Sequence, residues 1–92
     1  MTTSIYVEHP KGRLLDLAYE FGAQDTEIKC SGNWYSFPKK TDALAFLWRI
    51  RNMTARYVEI PKDLEPDLVK LVVSKGYSPS IKGLVSKVLD NG

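Results

Sequence analysis

The order of its hydrophobic patterns constrains the fold of this 92-residue chain more than any other feature. Four short segments alternate apolar and polar residues, which is the period of a half-buried β-strand. Proline follows three of these segments, and proline cannot donate a hydrogen bond to a sheet ladder. The predicted strands cover residues 4–9, 26–30, 34–37 and 55–60.

The segments that separate these strands carry apolar residues at helical spacing. The stripe of the first predicted helix consists of Leu14, Leu17, Ala18 and Phe21. Gly22 is placed to end this helix in a left-handed conformation. After residue 61 the pattern predicts two further helices, with Gly76 at the end of the first. The stripe of the last helix consists of Ile81, Leu84, Val85 and Val88.

The second predicted helix has a wide apolar surface. Thr41 is expected to cap its N-terminus. Its core stripe consists of Ala43, Phe46, Leu47 and Ile50. Leu44 and Trp48 form a second apolar row beside that stripe, so we expect this helix to contact two neighbours rather than one.

The resulting order, β-α-β-β-α-β followed by two helices, predicts an α+β fold. A unit of this kind normally forms an antiparallel sheet with both helices on one face, which is the ferredoxin-like arrangement with strand order 4-1-3-2. We expect residues 4–61 to form this core and residues 62–92 to form a helical extension. The length is typical of a single domain that spans residues 1–92.

Residues 4–60 also resemble an RNA recognition motif, which has this ferredoxin-like topology. The run Ile5-Tyr6-Val7 is similar to the first-strand signature of that family, and Trp34-Tyr35-Ser36-Phe37 is similar to its third strand. The resemblance implies that Tyr6 and Trp34 take the places of the two base-stacking aromatic residues.

Alternation along the strands separates the two faces of the predicted sheet. The face toward the first two helices receives Ile5, Val7, Ile28, Cys30, Tyr35, Phe37, Val58 and Ile60. The opposite face receives Tyr6, Trp34 and Tyr57 among the polar residues Glu8, Lys29, Ser36 and Glu59. Three aromatic side chains on a face that points away from the first two helices need an explanation.

Two interpretations of this aromatic face stay open. The C-terminal helices could fold back and cover it, since their apolar stripes also need a partner. Alternatively, Tyr6, Trp34, Tyr57 and Lys29 form a stacking platform for single-stranded RNA or DNA. The two glutamates on the same face argue against the second interpretation because they repel phosphates.

Catalytic and metal chemistry have little support in the sequence. His9 is the single histidine and Cys30 the single cysteine. This excludes an intramolecular disulfide and a zinc site built from His and Cys ligands, and we expect no cofactor and no enzymatic activity. A reducing, cytoplasmic location is expected. No segment reads as a signal peptide or a membrane span.

Function is therefore expected to lie in binding. The formal net charge is +2, but residues 1–37 hold three Lys or Arg against five Asp or Glu, a net of −2, and the remainder holds ten against six, a net of +4.

Leu44, Trp48 and Arg51 on the second helix are the candidate protein interface, because Trp and Arg are enriched at interface hot spots.

These residues predict a small protein-binding regulator or inhibitor of a larger enzyme, and a homodimer stays open. The competing interpretation is that the C-terminal helices cover Trp48. A second alternative function is DNA binding by residues 67–88, whose spacing resembles a helix-turn-helix.

Overall fold

The described part of the chain forms four strands, three α-helices and one short 3-10 helix. The computed structural model describes residues 2–9, 14–29, 32–51, 53 and 55–76. In chain order the elements are β1 (Thr3–Glu8), α1 (Leu15–Glu20), β2 (Asp25–Lys29), β3 (Gly32–Phe37), α2 (Lys40–Ile50), β4 (Tyr57–Glu59), the 3-10 helix (Lys62–Leu64) and α3 (Glu65–Ser74). The α+β class predicted from the sequence is confirmed.

The four strands form one antiparallel sheet. Their order is β2-β3-β1-β4, which reads 4-1-3-2 from the β4 edge, so β1 and β3 are the central strands. Tyr6 on β1 pairs with Trp34 on β3 and with Glu59 on β4. The pairing therefore places two of the three predicted aromatic residues side by side.

Several element boundaries differ from the prediction. β1 and β2 each begin one residue earlier than predicted. β3 begins at Gly32, two residues earlier than predicted, because Gly32 and Asn33 also join the ladder to β2. β4 keeps three residues of the predicted strand 55–60. Thr41 is not the cap of α2, because the helix begins at Lys40 and no side chain caps it.

The hydrophobic core lies between one face of the sheet and the helices. It contains Ile5, Val7, Tyr35, Phe37 and Val58 from the strands and Ala18, Ala43, Phe46, Leu47 and Ile50 from α1 and α2. The ring of Phe46 lies 5.2 Å from that of Phe37 and 5.5 Å from that of Tyr35, centroid to centroid. The predicted core stripe of α2 is confirmed.

Burial differs from the sequence pattern at the edge of the sheet. Ile28 lies on the core face, where it pairs with Asn33, but it is 61% exposed because the edge strand β2 has a neighbouring strand on one side only. The helix α3 does not cover the aromatic face. Its residues Leu68 and Val72 join the core on the helix side of the sheet.

Some predictions concern positions outside the described residues. These are the core position of Cys30, the last helix with its stripe at 81–88, and the second half of the proposed helix-turn-helix. Gly22 follows α1 in a left-handed conformation with a φ angle of 104°, and Gly76 follows α3 with a φ angle of 89°. The predicted left-handed end at Gly22 and the predicted helix end at Gly76 are confirmed.

Candidate protein-binding groove and aromatic sheet face

The second apolar row of α2 faces a groove on the helix side of the molecule. Leu44, Trp48 and Arg51 are spaced by four and three residues, so helical geometry stacks them along one stripe beside the core. All three are half-buried. The structure therefore brings the three predicted interface residues together.

This groove has a volume of about 490 Å³ and is lined by three helices or their ends. Phe21 comes from the turn after α1, and Leu71 comes from α3. Together with Leu44 and Trp48 they give the groove its apolar surface. The expectation that α2 contacts two neighbours is confirmed, and α3 flanks Trp48 without burying it.

Two cations hold the indole ring of Trp48. The Cζ atom of Arg51 lies 4.1 Å from the ring centroid, and Nζ of Lys75 lies 5.9 Å from it. Both distances fall within the range of a cation–π interaction. Nη1 of Arg51 also donates a 2.7 Å hydrogen bond to the carbonyl oxygen of Trp48. Arg51 therefore contacts both the indole ring and the backbone of Trp48.

The groove is electropositive. Three of its lining residues are cations, namely Arg49, Arg51 and Lys75, and no Asp or Glu among the described residues lines it. The carboxylate of Asp67 on the neighbouring α3 is paired with Lys40 at 3.1 Å and does not line the groove. An apolar surface framed by cations attracts apolar groups that carry carboxylates.

On the opposite side of the sheet, three aromatic rings are in contact. Tyr6 lies between the other two, with ring centroids 5.3 Å from Trp34 and 6.0 Å from Tyr57. Tyr6 is 7% exposed, whereas Trp34 and Tyr57 are half-buried. Of the predicted stacking residues, only the outer two therefore present much ring surface to solvent.

The hydroxyl groups of this cluster bind carboxylates. The Tyr6 hydroxyl donates a 2.8 Å hydrogen bond to Glu8, and the Tyr57 hydroxyl donates one of 2.8 Å to Glu59. The hydrogen bond to Glu59 raises the pKa of Tyr57 above its usual range, followed in size by burial and by the charges of Glu59 and Glu8. Lys29, the fourth nucleic-acid candidate, pairs with Gly32 at the end of the β2–β3 ladder.

The single histidine and the acidic residues can be examined for metal binding in the described part of the chain. The Nε2 atom of His9 lies 2.7 Å from the carbonyl oxygen of Met53, so the imidazole is engaged in a backbone contact. Among the residues that the structure describes, no three His, Cys, Asp or Glu side chains could hold a metal ion together. No described helix is long and apolar enough to cross a membrane.

Sequence reasoning missed the groove residues outside α2. Phe21 was predicted as a core residue of the first helix, and neither Leu71 nor Lys75 was predicted as an interface residue, because periodicity assigns a residue to a helix face but does not say which helices meet.

No family model, curated protein or solved structure matches this chain.

Proposed function

We propose that this chain is a small, non-enzymatic binding protein of the cytoplasm that acts by protein–protein contact through the groove between α2 and α3. The observation that carries the proposal is the Trp48 indole, stacked by Arg51 over an apolar surface. Trp and Arg in a central, partly desolvated position are the residue types that most often dominate binding energy at protein interfaces.

The charge of the groove defines the partner. Of the residues that the structure describes, three cations and no carboxylates line it, so the partner is a protein segment that inserts apolar side chains and carries Asp or Glu beside them. An amphipathic helix laid in a groove has this pattern. A regulator or inhibitor of a larger enzyme would use such a site to occupy one surface of that enzyme.

The fold supports this proposal as a scaffold. The strand order 4-1-3-2 and the position of α1 and α2 support a ferredoxin-like core, with α3 added beside α2. In such an arrangement the groove is built on helices that are anchored in the core, which keeps its shape fixed.

Affinity capture with matched variants tests the proposal. The groove variant combines Trp48→Ala with Arg51→Glu, and the control is Val73→Ala, which changes a 51% exposed apolar residue of α3 outside the groove. Capture of a protein is not a sufficient test, because it does not show where that protein binds. The captured partner is therefore purified, and its affinity for each of the three proteins is measured by titration. Its effect on the amide hydrogen exchange of the wild-type chain is then mapped.

We expect the partner to bind the wild-type and Val73→Ala proteins equally and the groove variant at least about tenfold more weakly, as for loss of a hot spot. It should slow exchange in α2 and α3. Equal affinity for all three proteins, or protection confined to the sheet, overturns the proposal. Circular dichroism of each variant separates loss of binding from loss of folding, and Leu44→Asp provides a second, independent change in the groove.

Single-stranded nucleic acid binding on the sheet face is the alternative function. The half-buried Trp34 ring favours it. Burial of Tyr6 and the carboxylates bonded to the tyrosines weigh against it, because they reduce the stacking area and repel phosphates. For DNA binding by residues 67–88, the structure describes the first half of the proposed helix-turn-helix only. In that half α3 ends at Ser74, just before the predicted turn at Gly76.

A further inference from the structure

We propose that the aromatic sheet face docks a basic peptide segment of a partner protein, at a second site separate from the groove. This face consists of the rings of Tyr6, Trp34 and Tyr57 and the carboxylates that the strand register places around them.

The register surrounds the rings with negative charge. Glu27 on β2 pairs with Trp34, Glu59 on β4 pairs with Tyr6, and Glu8 pairs with Tyr57. Asp25 joins them on the same face through its pairing with Ser36. Lys29, at the register position opposite Gly32, is the one Lys or Arg among the ladder positions of this face. Acidic residues therefore outnumber basic residues four to one at these positions of the described strands.

The aromatic rings provide the contact surface within that negative field. Trp34 and Tyr57 flank the buried Tyr6 ring and are both partly exposed. Arg and Lys side chains bind the faces of such rings by cation–π contact, and the guanidinium of Arg also stacks on them. A basic segment therefore finds both ring faces and charge partners within one surface.

The proton affinity of Tyr57 agrees with this electrostatic description. Its pKa is raised first by the hydrogen bond to Glu59, then by burial, and then by the charges of Glu59 and Glu8. A group that is reluctant to become an anion indicates the negative potential that a bound cation would relieve.

The described helices do not cover this face. The buried residues of α1, α2 and α3 all join the core on the other side of the sheet. A phosphate backbone would meet four carboxylates, whereas a basic peptide would neutralise them. Charge complementarity therefore selects the peptide.

Nuclear magnetic resonance on the full chain tests this assignment, because its two tryptophans report the two sites separately. The indole N–H of Trp34 reports the sheet face, and that of Trp48 reports the groove. The ¹⁵N-labelled protein is titrated with hexa-arginine, with hexa-glutamate and with a short oligothymidylate at low salt. The matched variants are Glu27→Gln with Glu59→Gln on the face, and Asp16→Asn with Glu20→Gln on the exposed side of α1.

We expect hexa-arginine to shift the Trp34 indole signal and to leave that of Trp48 in place. The face variant should bind about tenfold more weakly, since rim charges contribute modest amounts each, and the α1 variant should bind like the wild type. Binding should also weaken as salt is raised. This result does not depend on the groove, so it separates the two proposals.

Four results would overturn the inference. One is a Trp34 shift with oligothymidylate but not with hexa-arginine, which identifies a nucleic-acid face. Another is a hexa-arginine response confined to Trp48. A third is equal affinity in the face variant and the α1 variant. The last is a nuclear Overhauser effect in the free protein between the Trp34 ring and residues 77–92, which identifies the chain's own C-terminal segment as the occupant.

Discussion

The ring of Tyr6 lies directly against the backbone of Gly32. A Cβ atom at position 32 would come within 2.6 Å of Cζ and 2.7 Å of the hydroxyl oxygen of Tyr6, and within 2.7 Å of the carbonyl oxygen of Val7. The first residue of β3 must therefore lack a side chain. Glycine at this position lets the central ring of the aromatic face pack down on the sheet, where it is 7% exposed.

Replacing Gly32 by Ala should therefore destabilise the protein by about 1–3 kcal/mol, the usual cost of forcing extra atoms into a packed site. Denaturant unfolding measures this change. In a Tyr6→Leu background part of the conflict is gone, so the cost of Gly32→Ala should be smaller. An equal cost in both backgrounds would assign the conflict to the Val7 carbonyl instead of the ring.

Arg51 is expected to stabilise α2 as well as to bind a partner. Its guanidinium stacks on Trp48 and donates a hydrogen bond to the Trp48 carbonyl oxygen in the last turn of the helix. A cation at this end also interacts favourably with the negative end of the helix dipole. Arg51→Lys keeps the charge but loses the planar stack, and should lower the free energy of unfolding by about 1 kcal/mol. Arg49→Lys is the control, because Arg49 is exposed, and it should change the free energy by less than about 0.5 kcal/mol. Equal effects of the two substitutions would contradict a stabilising role for the stack of Arg51 on Trp48.

Helix α2 shows how far periodicity alone reaches. Its residues at i, i+3 and i+4 spacing decide burial directly, so Ala43 and Phe46 were assigned to the core and are fully buried. The adjacent row with Leu44 and Trp48 followed from the same geometry. The interface candidates were therefore found without knowledge of the tertiary fold.

The strands show which property alternation does not predict, namely how deeply a residue is buried. Alternation assigned Ile28 and Tyr6 to the correct kind of position on opposite faces, but it does not determine depth. Ile28 is exposed because its strand is at the edge, and Tyr6 is buried because Trp34, Tyr57 and Gly32 surround it. Depth depends on neighbours that are distant in sequence, as does the meeting of α3 with α2 that creates the groove.

Gly22 and Gly76 offer a comparison of strain with and without crowding. Both have positive φ angles, which cost an L-residue about 1–2 kcal/mol. A Cβ at Gly22 would also come 2.8 Å from Oδ2 of Asp42, whereas a Cβ at Gly76 would meet nothing within 4 Å. Gly22→Ala should therefore be the more destabilising change in thermal unfolding. In an Asp42→Ala background the difference should shrink, and its persistence would exclude the Asp42 contact as the cause.

Tyr57 should make stability depend on pH in the alkaline range. Its folded pKa is raised, chiefly by the hydrogen bond to Glu59. The unfolded chain therefore loses the phenolic proton first as pH rises past about 10. The stabilisation is fully present below that pH and is lost as pH rises toward the folded pKa.

Ultraviolet titration of the phenolate band, with Tyr57→Phe to identify its contribution, measures this shift. Glu59→Gln should bring the pKa of Tyr57 back toward its usual value. Glu27→Gln should not, because β2 lies three strands away from β4, about 14 Å at the usual spacing. An unchanged titration in Glu59→Gln would contradict the assigned cause.

Asn33 is a polar residue in an apolar position, and its replacement should stabilise the fold. It is 1% exposed, it pairs with Val7 and Ile28 across the two ladders, and neither its side-chain nitrogen nor its side-chain oxygen has a hydrogen-bond partner among the described residues. A buried amide without partners costs about 1–3 kcal/mol, so Asn33→Leu, which has nearly the same shape, should raise the free energy of unfolding by about that amount. Asn33→Asp should lower it, because the position would then bury a charge. Denaturant midpoints of the three proteins should therefore fall in the order Leu, Asn, Asp, and a destabilised Asn33→Leu would show that the amide is satisfied in solution.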